Sequence, residues 1–313
     1  MSAAPLVTIV IPTYRRANAL PWVIGSALDQ TFSPAGYEIL VVDNNSPDDT
    51  AEVIETIARQ HPGRVRRILE TRQGVSYARQ AGIDQARGDI IAFFDDDVRV
   101  ARTWVETIVE ALRSHPDVQC VGGKVLPVWP TTPPAWLTPE HWSPLALQDF
   151  GDRPMLMSSA NPRGLISANL ACRKEVLQRV GGFSPELQRV KDGIGSLEDD
   201  DWNRRFWKAG GVALYWPGLL AWTEVPAERL TRAYHRRWHL GHGRFYALLR
   251  AEEIERSNIG RFLGVPAHLY RAAVADAAAL LASIVTGRGQ SAFLHEMRLR
   301  FFSGFVGQRV RTR

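Results

Sequence analysis

The sequence predicts an α/β protein, a mostly parallel sheet flanked by helices with a helical extension at its C-terminal end. Three observations carry that expectation. Short runs of β-branched and other apolar residues alternate with longer helical patterns through the first 125 residues, as in a parallel sheet covered on both faces. Polar and acidic clusters follow three of those runs, at the strand ends where a doubly wound sheet gathers its ligands. Beyond residue 225 the alternation stops and the chain becomes arginine-rich with helical spacing.

Taken in order, strands are expected at Leu6 to Ile11, Tyr37 to Val42, Val65 to Leu69 and Ile90 to Phe94. Helices are expected at Leu20 to Gln30, Asp49 to Gln60, Val75 to Ala86 and Thr103 to Ser114. Ser46, Pro47 and Asp48 form a helix-start signal, and His115-Pro116 ends the last of these helices. A further strand, Val118 to Val125, is broken by Gly122 and Gly123. Between Leu126 and Pro162, seven prolines and three tryptophans rule out regular elements and suggest an ordered lid or acceptor-side loop. Regular structure resumes with a strand at Leu165 to Cys172 and a helix at Lys174 to Val180, then a glycine turn and an acidic helix ending near Gly210.

The chain has 313 residues, 45% hydrophobic and 23% charged, an ordinary globular composition. That length suggests one large domain with an appended module. Cys120 and Cys172 sit in apolar runs and read as reduced core thiols, which places the protein in a reducing compartment, the cytoplasm. The first residues lack a basic region and a long apolar stretch, so no secretory signal is expected. Net charge is +5 but uneven: residues 226–313 carry 15 arginines, no lysine and six carboxylates, a balance of +9. Such a stretch suits an anionic partner or is simply a solvated helical surface. No RNA- or DNA-reading signature accompanies it, so nucleic acid is not expected as a partner.

Three clusters would open onto one crevice: Pro12, Thr13, Tyr14, Arg15 and Arg16; Asp43, Asn44 and Asn45; Asp95, Asp96 and Asp97. Each alone is compatible with ordinary turn chemistry. The triple aspartate says more, because three adjacent carboxylates at one sheet edge repel unless a cation or hydrogen-bond donors offset them. Oxygen-only ligands suit Mg²⁺ or Mn²⁺, with substrate phosphates completing the shell.

These segments, Val10-Ile-Pro-Thr-Tyr-Arg15, Val41-Val-Asp-Asn-Asn-Ser46, Gly74-Val-Ser-Tyr-Ala-Arg79 and Phe93-Phe-Asp-Asp-Asp97, resemble the family 2 inverting glycosyltransferases of GT-A fold. Val180-Gly-Gly-Phe-Ser-Pro-Glu186 and Leu197-Glu-Asp-Asp-Asp-Trp202 resemble the family's acceptor-side segments, and the similarity runs in order over about residues 5 to 250. The resemblance implies a nucleotide-diphosphate sugar as donor, with a UDP-sugar favoured, and a glycan or lipid-linked acceptor in envelope or extracellular polysaccharide or glycolipid synthesis. It implies a catalytic domain over 1–225, with a nucleotide-sugar half at about 5–125, the Pro/Trp-rich loop at 126–162 and an acceptor-side half at 163–225; a basic helical module would occupy 226–313. Pro12 to Tyr14, with Arg15, Asp43 and Asn45, would hold base and ribose, Asp43 accepting from the base ring N–H. Asp97 would be the direct metal ligand, assisted by Asp95, with Asp95 or Asp96 near the ribose. Arg79 would face the nucleotide or pair with an acidic neighbour such as Asp43.

An inverting displacement needs a general base, and Glu198 to Asp201 offers four carboxylates. At i,i+4 spacing Asp200 meets Arg204 and Asp201 meets Arg205, whereas Glu198 and Asp199 meet Trp202 and Asn203. The latter two are freer to face a cleft. They coincide with the family's Glu-Asp pair, which implies Asp199 as base with Glu198 positioning the acceptor; helix capping is the alternative. Where many relatives carry a metal-shell histidine this chain has Thr223, followed by Glu224, so either Glu224 substitutes or Asp97, phosphates and water suffice. His235, His239 and His242 have helical spacing but read as a surface helix rather than a zinc site. A sugar nucleotidyltransferase would show a glycine-rich loop after the first strand, where Pro12 to Arg16 stands instead. A non-catalytic sugar-nucleotide-binding protein would have lost the acidic sets.

From Phe262 to Val285 apolar residues recur at helical spacing, interrupted by His268, Arg271 and Asp276, which disfavours a bilayer span. Beyond them aromatics alternate with Arg298, Arg300, Arg309, Arg311 and Arg313. Residues 261–313 therefore suit an anionic membrane surface, with the protein peripheral at the inner face of the cell membrane; packing against protein is the alternative.

Overall fold

The computed structural model describes residues 4–188, 197–256 and 260–312. Strands β1 (Val7–Thr13), β2 (Tyr37–Asp43), β3 (Val65–Leu69) and β4 (Ile90–Phe93) alternate with helices α1 (Leu20–Leu28), α2 (Thr50–Gln60) and α3 (Val75–Gln85). Then follow β5 (Val98–Val100), α4 (Trp104–Ser114), β6 (Cys120–Val128), β7 (Met155–Met157), β8 (Leu170–Arg173), α5 (Lys174–Val180), α6 (Glu198–Lys208) and β9 (Ala213–Glu224). The C-terminal elements are α7 (Arg232–Leu249), α8 (Ala251–Arg256), β10 (Arg261–Phe262), β11 (Val265–Pro266), α9 (Ala267–Val285) and α10 (Gly289–Arg311).

Nine strands form one mixed sheet in the order β3-β2-β1-β4-β8-β6-β9-β5, with β7 paired to β9. The parallel half, β3 to β4, has β1 and β2 buried at every position, which is why those runs are continuously apolar rather than alternating. The other half is antiparallel at β8, which lies between β4 and β6 and brings Cys120 opposite Cys172. Burial of Cys120 pushes its thiol well above the ordinary range, so it stays a protonated core group. The long strand β9 contains Pro217 and Gly218, residues that argue against a strand. It tolerates them because its pairing with β6 shifts register between Gly122 and Lys124, leaving Trp216 to Leu219 outside the ladder. Gly123 is required there, since a Cβ would lie 1.9 Å from the Leu219 carbonyl oxygen.

The chain divides into two compact units: the first holds residues 1–128, 146–190 and 198–224, and the second holds 129–145, 191–197 and 225–313. The Pro/Trp-rich loop is thus divided, its first part belonging with the C-terminal helices. The physical reason is aromatic packing inside the second unit. Trp136 meets Phe293 of α10 edge-on at 4.8 Å and His235 of α7 at 5.0 Å, while His141 stacks on Phe293 at 5.6 Å. Helix α7 is correspondingly not a pure surface helix: His235 is interior, and His239 and His242 are half-buried. His235 is fully buried, and burial pushes it down to about 4 and His239 to about 3, so both are neutral packing groups at neutral pH.

Candidate active site

The site lies in the first unit, beyond the C-terminal ends of β1, β2 and β4. Parallel pairing sets Thr13 beside Asp43, and the Asn44 amide donates to the Thr13 carbonyl at 2.8 Å. Both connecting loops then turn through left-handed backbone, at Arg15 (φ 57°) and Asn45 (φ 60°). Asparagine adopts this conformation readily and arginine does not, so Arg15 is held from outside: its amide donates to Ser46 Oγ at 3.0 Å. Tyr14 and Arg15 are exposed above the crevice, and Pro12 and Thr13 are buried at its floor.

Asp43 is buried, and both of its carboxylate oxygens are engaged. Its Oδ2 accepts from Arg67 at 2.6 Å and its Oδ1 from the Ser46 amide at 2.9 Å. Asp43 therefore pairs with Arg67 rather than Arg79. Asn44 does more than its turn-forming character suggested: its side chain bonds the carbonyls of Glu70 and Arg72 and the amide of Gly74, tying the β3 exit and the start of α3 to β2. Gly74 (φ 138°) must be glycine, because a Cβ would strike the Gln188 side chain, which accepts from the Ser76 amide.

The Asp95–Asp97 run meets the first cluster directly. The Tyr14 amide donates to Asp96 Oδ2 at 3.2 Å, and Arg16 lies 3.4 Å from Asp96 and 3.9 Å from Asp97. Burial, reinforced by Asp97 and only partly offset by Arg16, pushes the Asp96 carboxyl up to about 7. Asp95 turns the other way, to Arg79. That guanidinium is 3% exposed, 2.9 Å from Asp95 and 3.3 Å from Glu198 on α6, and lies over the Phe183 ring. Burial opposes its charge, but Asp95, Asp199 and Glu198 outweigh it and hold Arg79 above its ordinary value. One buried cation thus joins the end of β4 to the start of α6.

Burial, together with the neighbouring Asp199 charge, raises Glu198 to about 7. Asp199 is also raised by burial, against the pull of Arg79 and of Ser167, whose amide and hydroxyl both donate to Asp199 Oδ2 at 3.1 Å. Glu198 Oε2 and Asp199 Oδ1 are each buried without a protein hydrogen-bond partner. Further along α6, Asp201 pairs with Arg205 at 2.8 Å, as i,i+4 spacing suggests. Asp200 forms no such pair with Arg204; burial and Asp199 push it up to about 6 instead. Ser167 was invisible as a site residue in the sequence, since it lies 32 positions from Asp199 and only the β8 approach brings them together.

Among the described residues no group of three or more metal-ligating side chains is preassembled. The donor set nevertheless fits Mg²⁺ or Mn²⁺: Asp95 and Asp97 are oxygen donors, 32% and 26% exposed, in a cluster where Arg16 only partly offsets the charge of Asp96. An open site of one or two carboxylates is how these ions are held when phosphate oxygens and water complete the shell. Thr223 pairs with Val98, the residue after Asp97, and Glu224 lies 3.8 Å from Arg99.

The family model described as glycosyl transferase family 2 matches residues 8–181. The chain is 30% identical to glycosyltransferase AglE of Haloferax volcanii over 67% of this chain and 64% of that protein. It is 26% identical to the glucosyl-dolichyl phosphate glucuronosyltransferase of the same organism over 59% of this chain and 58% of that protein. It therefore spans about three fifths of the length of these curated relatives. In structure it is similar to the mannosyltransferase PcManGT from Pyrobaculum calidifontis, solved with GDP-Man and Mn²⁺, at TM-score 0.66 and 20% identity over 98% of this chain and 87% of that one. It is likewise similar to S. aureus TarS 1-349 in complex with UDP, at TM-score 0.57 and 16% identity over 97% and 90%. At these identities the structural likeness shows the fold alone, that of the GT-A glycosyltransferases, and with more than half of its length matched by the family model the chain belongs to glycosyl transferase family 2.

Proposed function

We propose that the protein is an inverting, metal-dependent glycosyltransferase that moves a sugar from a nucleotide-diphosphate sugar to an acceptor hydroxyl. The observation that carries this reading is the Arg79 bridge, which places the acid pair of α6 within one charge network with the carboxylates at the end of β4. Donor and acceptor chemistry need those two groups in one place. A UDP-sugar is the favoured donor, and the acceptor is a glycan or lipid-linked hydroxyl in polysaccharide or glycolipid synthesis. A relative named as a glucosyl-dolichyl phosphate glucuronosyltransferase, and structural neighbours solved with GDP-Man or UDP, support that class.

In this reading Pro12 to Arg15, Asp43 and Asn45 form the nucleoside floor. With its carboxylate already held by Arg67 and Ser46, Asp43 fixes the loop and offers the base only its remaining lone pairs. Asp97 and Asp95 would hold Mg²⁺ or Mn²⁺, which supplies neutralisation of the charge on the departing diphosphate. Asp199 takes the acceptor proton. Ser167 fixes one carboxylate oxygen and leaves Oδ1 without a protein partner, while burial raises its proton affinity toward what a base needs. The acceptor oxygen then bonds to the anomeric carbon as the bond to the diphosphate oxygen breaks on the opposite face. Glu198, held by Arg79, orients the acceptor with its other oxygen.

The deciding experiment is a hydrolysis and transfer screen of the purified protein across sugar nucleotides, with and without Mn²⁺, followed by NMR assignment of the product anomer. Metal-stimulated turnover of a UDP-sugar with inverted configuration is expected. Retention, or full activity after exhaustive chelation, would overturn the reading.

A further inference from the structure

Helix α9 is built inside out. Between Ala272 and Val285 every exposed side chain is Ala, Val, Leu or Ile. The two polar residues of that stretch, Asp276 and Ser283, instead face α10: Asp276 is 2.8 Å from His295 and 3.4 Å from Arg298, and Ser283 bonds Ser291 at 3.1 Å. On the outer face Val274 is 71% exposed, Leu281 65%, Ile284 60% and Val285 86%. A helix at the surface of a protein in water has the opposite arrangement, and exposed aliphatic area is unfavourable by about 25 cal/mol per Å². Beside the N-terminal end of α9, the tight β10–β11 hairpin exposes Phe262 (66%) and Leu263 (43%), and the Tyr270 hydroxyl donates to the Phe262 carbonyl at 3.0 Å. The apolar stripe of α9 and the hairpin tip belong to the same local structure.

We infer that this outer face of α9, with the Phe262–Leu263 tip, lies in the surface of an anionic lipid bilayer. Charge complementarity selects that occupant. Exposed Arg261, Arg271 and Arg288 stand at the tip, near the start and just past the end of the apolar stripe, within a segment of net charge +9. Arginines bordering an aliphatic face match lipid headgroups bordering acyl chains. By length and apolar composition α9 would also admit a bilayer span. The inner face excludes that arrangement. It is packed on α10, and a span would carry Asp276, Glu296, Arg298 and Arg300 into hydrocarbon, where charged groups are strongly unfavourable. An in-plane position, sunk about 5–10 Å into the boundary, wets the polar side and covers the apolar one. The inference adds a lipid surface to the transferase reading without resting on Asp199 or the metal, and its test reads binding rather than turnover.

The test uses the full-length protein with phosphatidylcholine vesicles, with or without an equal part of phosphatidylglycerol. The native cysteines are buried, so Val274→Cys and Leu281→Cys accept a polarity-sensitive fluorophore selectively, with exposed Ser114→Cys on α4 as control. Blue shifts at 274 and 281 but not at 114 are expected with anionic vesicles, together with flotation that weakens as salt is raised. The double variant Val274→Asp, Leu281→Asp should lose vesicle partitioning by about tenfold or more with its thermal midpoint unchanged. Protein that stays unbound at low salt, or an equal shift at 114, overturns the proposal. So does a blue shift without vesicles that grows with protein concentration and vanishes in the Asp variant, because a second copy would then cover the face.

Discussion

Helices α6 and α9 break the same rule in opposite directions. In α6 the apolar side chains go inside as expected, with Trp202 and Phe206 fully buried, and the anomaly is that Glu198 goes in with them. In α9 from Ala272 onward the two polar side chains, Asp276 and Ser283, face α10 while the exposed ones are all aliphatic. A buried acid is unfavourable unless a charge or a ligand compensates it, and an exposed aliphatic stripe is unfavourable in water. Each departure therefore points to something that binds. What differs in the proposed roles is the chemistry: α6 would present charge to a small polar reactant, whereas α9 would present area to an apolar phase. Substitutions at the first should change reaction rates, and substitutions at the second should change location.

The largest effect is expected at Asp97. Replacement by Asn removes a ligand charge at a partly exposed site, so transfer should disappear while circular dichroism and the thermal midpoint stay native; turnover at the wild-type rate would refute its role. Next comes Asp199→Asn, which should lower kcat by roughly 10² or more with little change in donor affinity by calorimetry. Asp201→Asn disturbs the Arg205 ion pair and the contact from the Ser184 hydroxyl, neither of which faces a reactant in the proposed mechanism, and the comparison fails if it proves the more damaging of the two. Arg79→Gln is expected to cost stability as well as rate, by about 3–5 kcal/mol in chemical denaturation, because it leaves Asp95 and Glu198 without their shared buried cation.

A smaller effect concerns pH. Asp96 and Glu198 have folded-state values raised to about 7, so the folded protein binds their protons more tightly than the unfolded chain does. That contribution is fully present below the unfolded carboxylate values near pH 4 and is lost as pH rises through 7. Metal-free protein should therefore be less stable at pH 8 than at pH 5.5, by roughly 1–3 kcal/mol, and Asp96→Asn should flatten the dependence; a denaturation series that rises with pH would contradict it. The smallest change is reserved for α9. Leu281→Ser should alter stability in plain buffer by no more than about 0.5 kcal/mol, since its side chain is largely in water already; a loss of several kcal/mol would mean that the face is packed in solution.

The parallel half of the sheet was legible because β1, β2 and β4 are buried throughout and their residues say so. β9 was not, since Pro217 and Gly218 mark a break and only the register shift against β6 shows how a strand passes them. Strands β5 and β7 are three residues each, too short for any period. At the site, the three clusters of the crevice were readable from their place after apolar runs. Their partners were not: Arg67 for Asp43, Ser167 for Asp199 and Glu198 for Arg79 are all long-range contacts fixed by packing. Local spacing found the Asp201–Arg205 pair and overpredicted Asp200–Arg204, because burial, which the i,i+4 rule ignores, decides which carboxylates meet solvent. The same blindness to burial made a surface helix of α7, whose His235 is interior.

Sharing one guanidinium has a consequence for anyone who would redesign specificity. Arg79 divides its charge between a carboxylate at the end of β4 and one at the start of α6, so neither carboxylate can be exchanged alone without changing how firmly the other is held. Substitutions at Asp95 and Glu198 will be non-additive. Grafting a different α6 onto this sheet then means carrying over the β4 end with it, and the two segments are inherited as a single cassette.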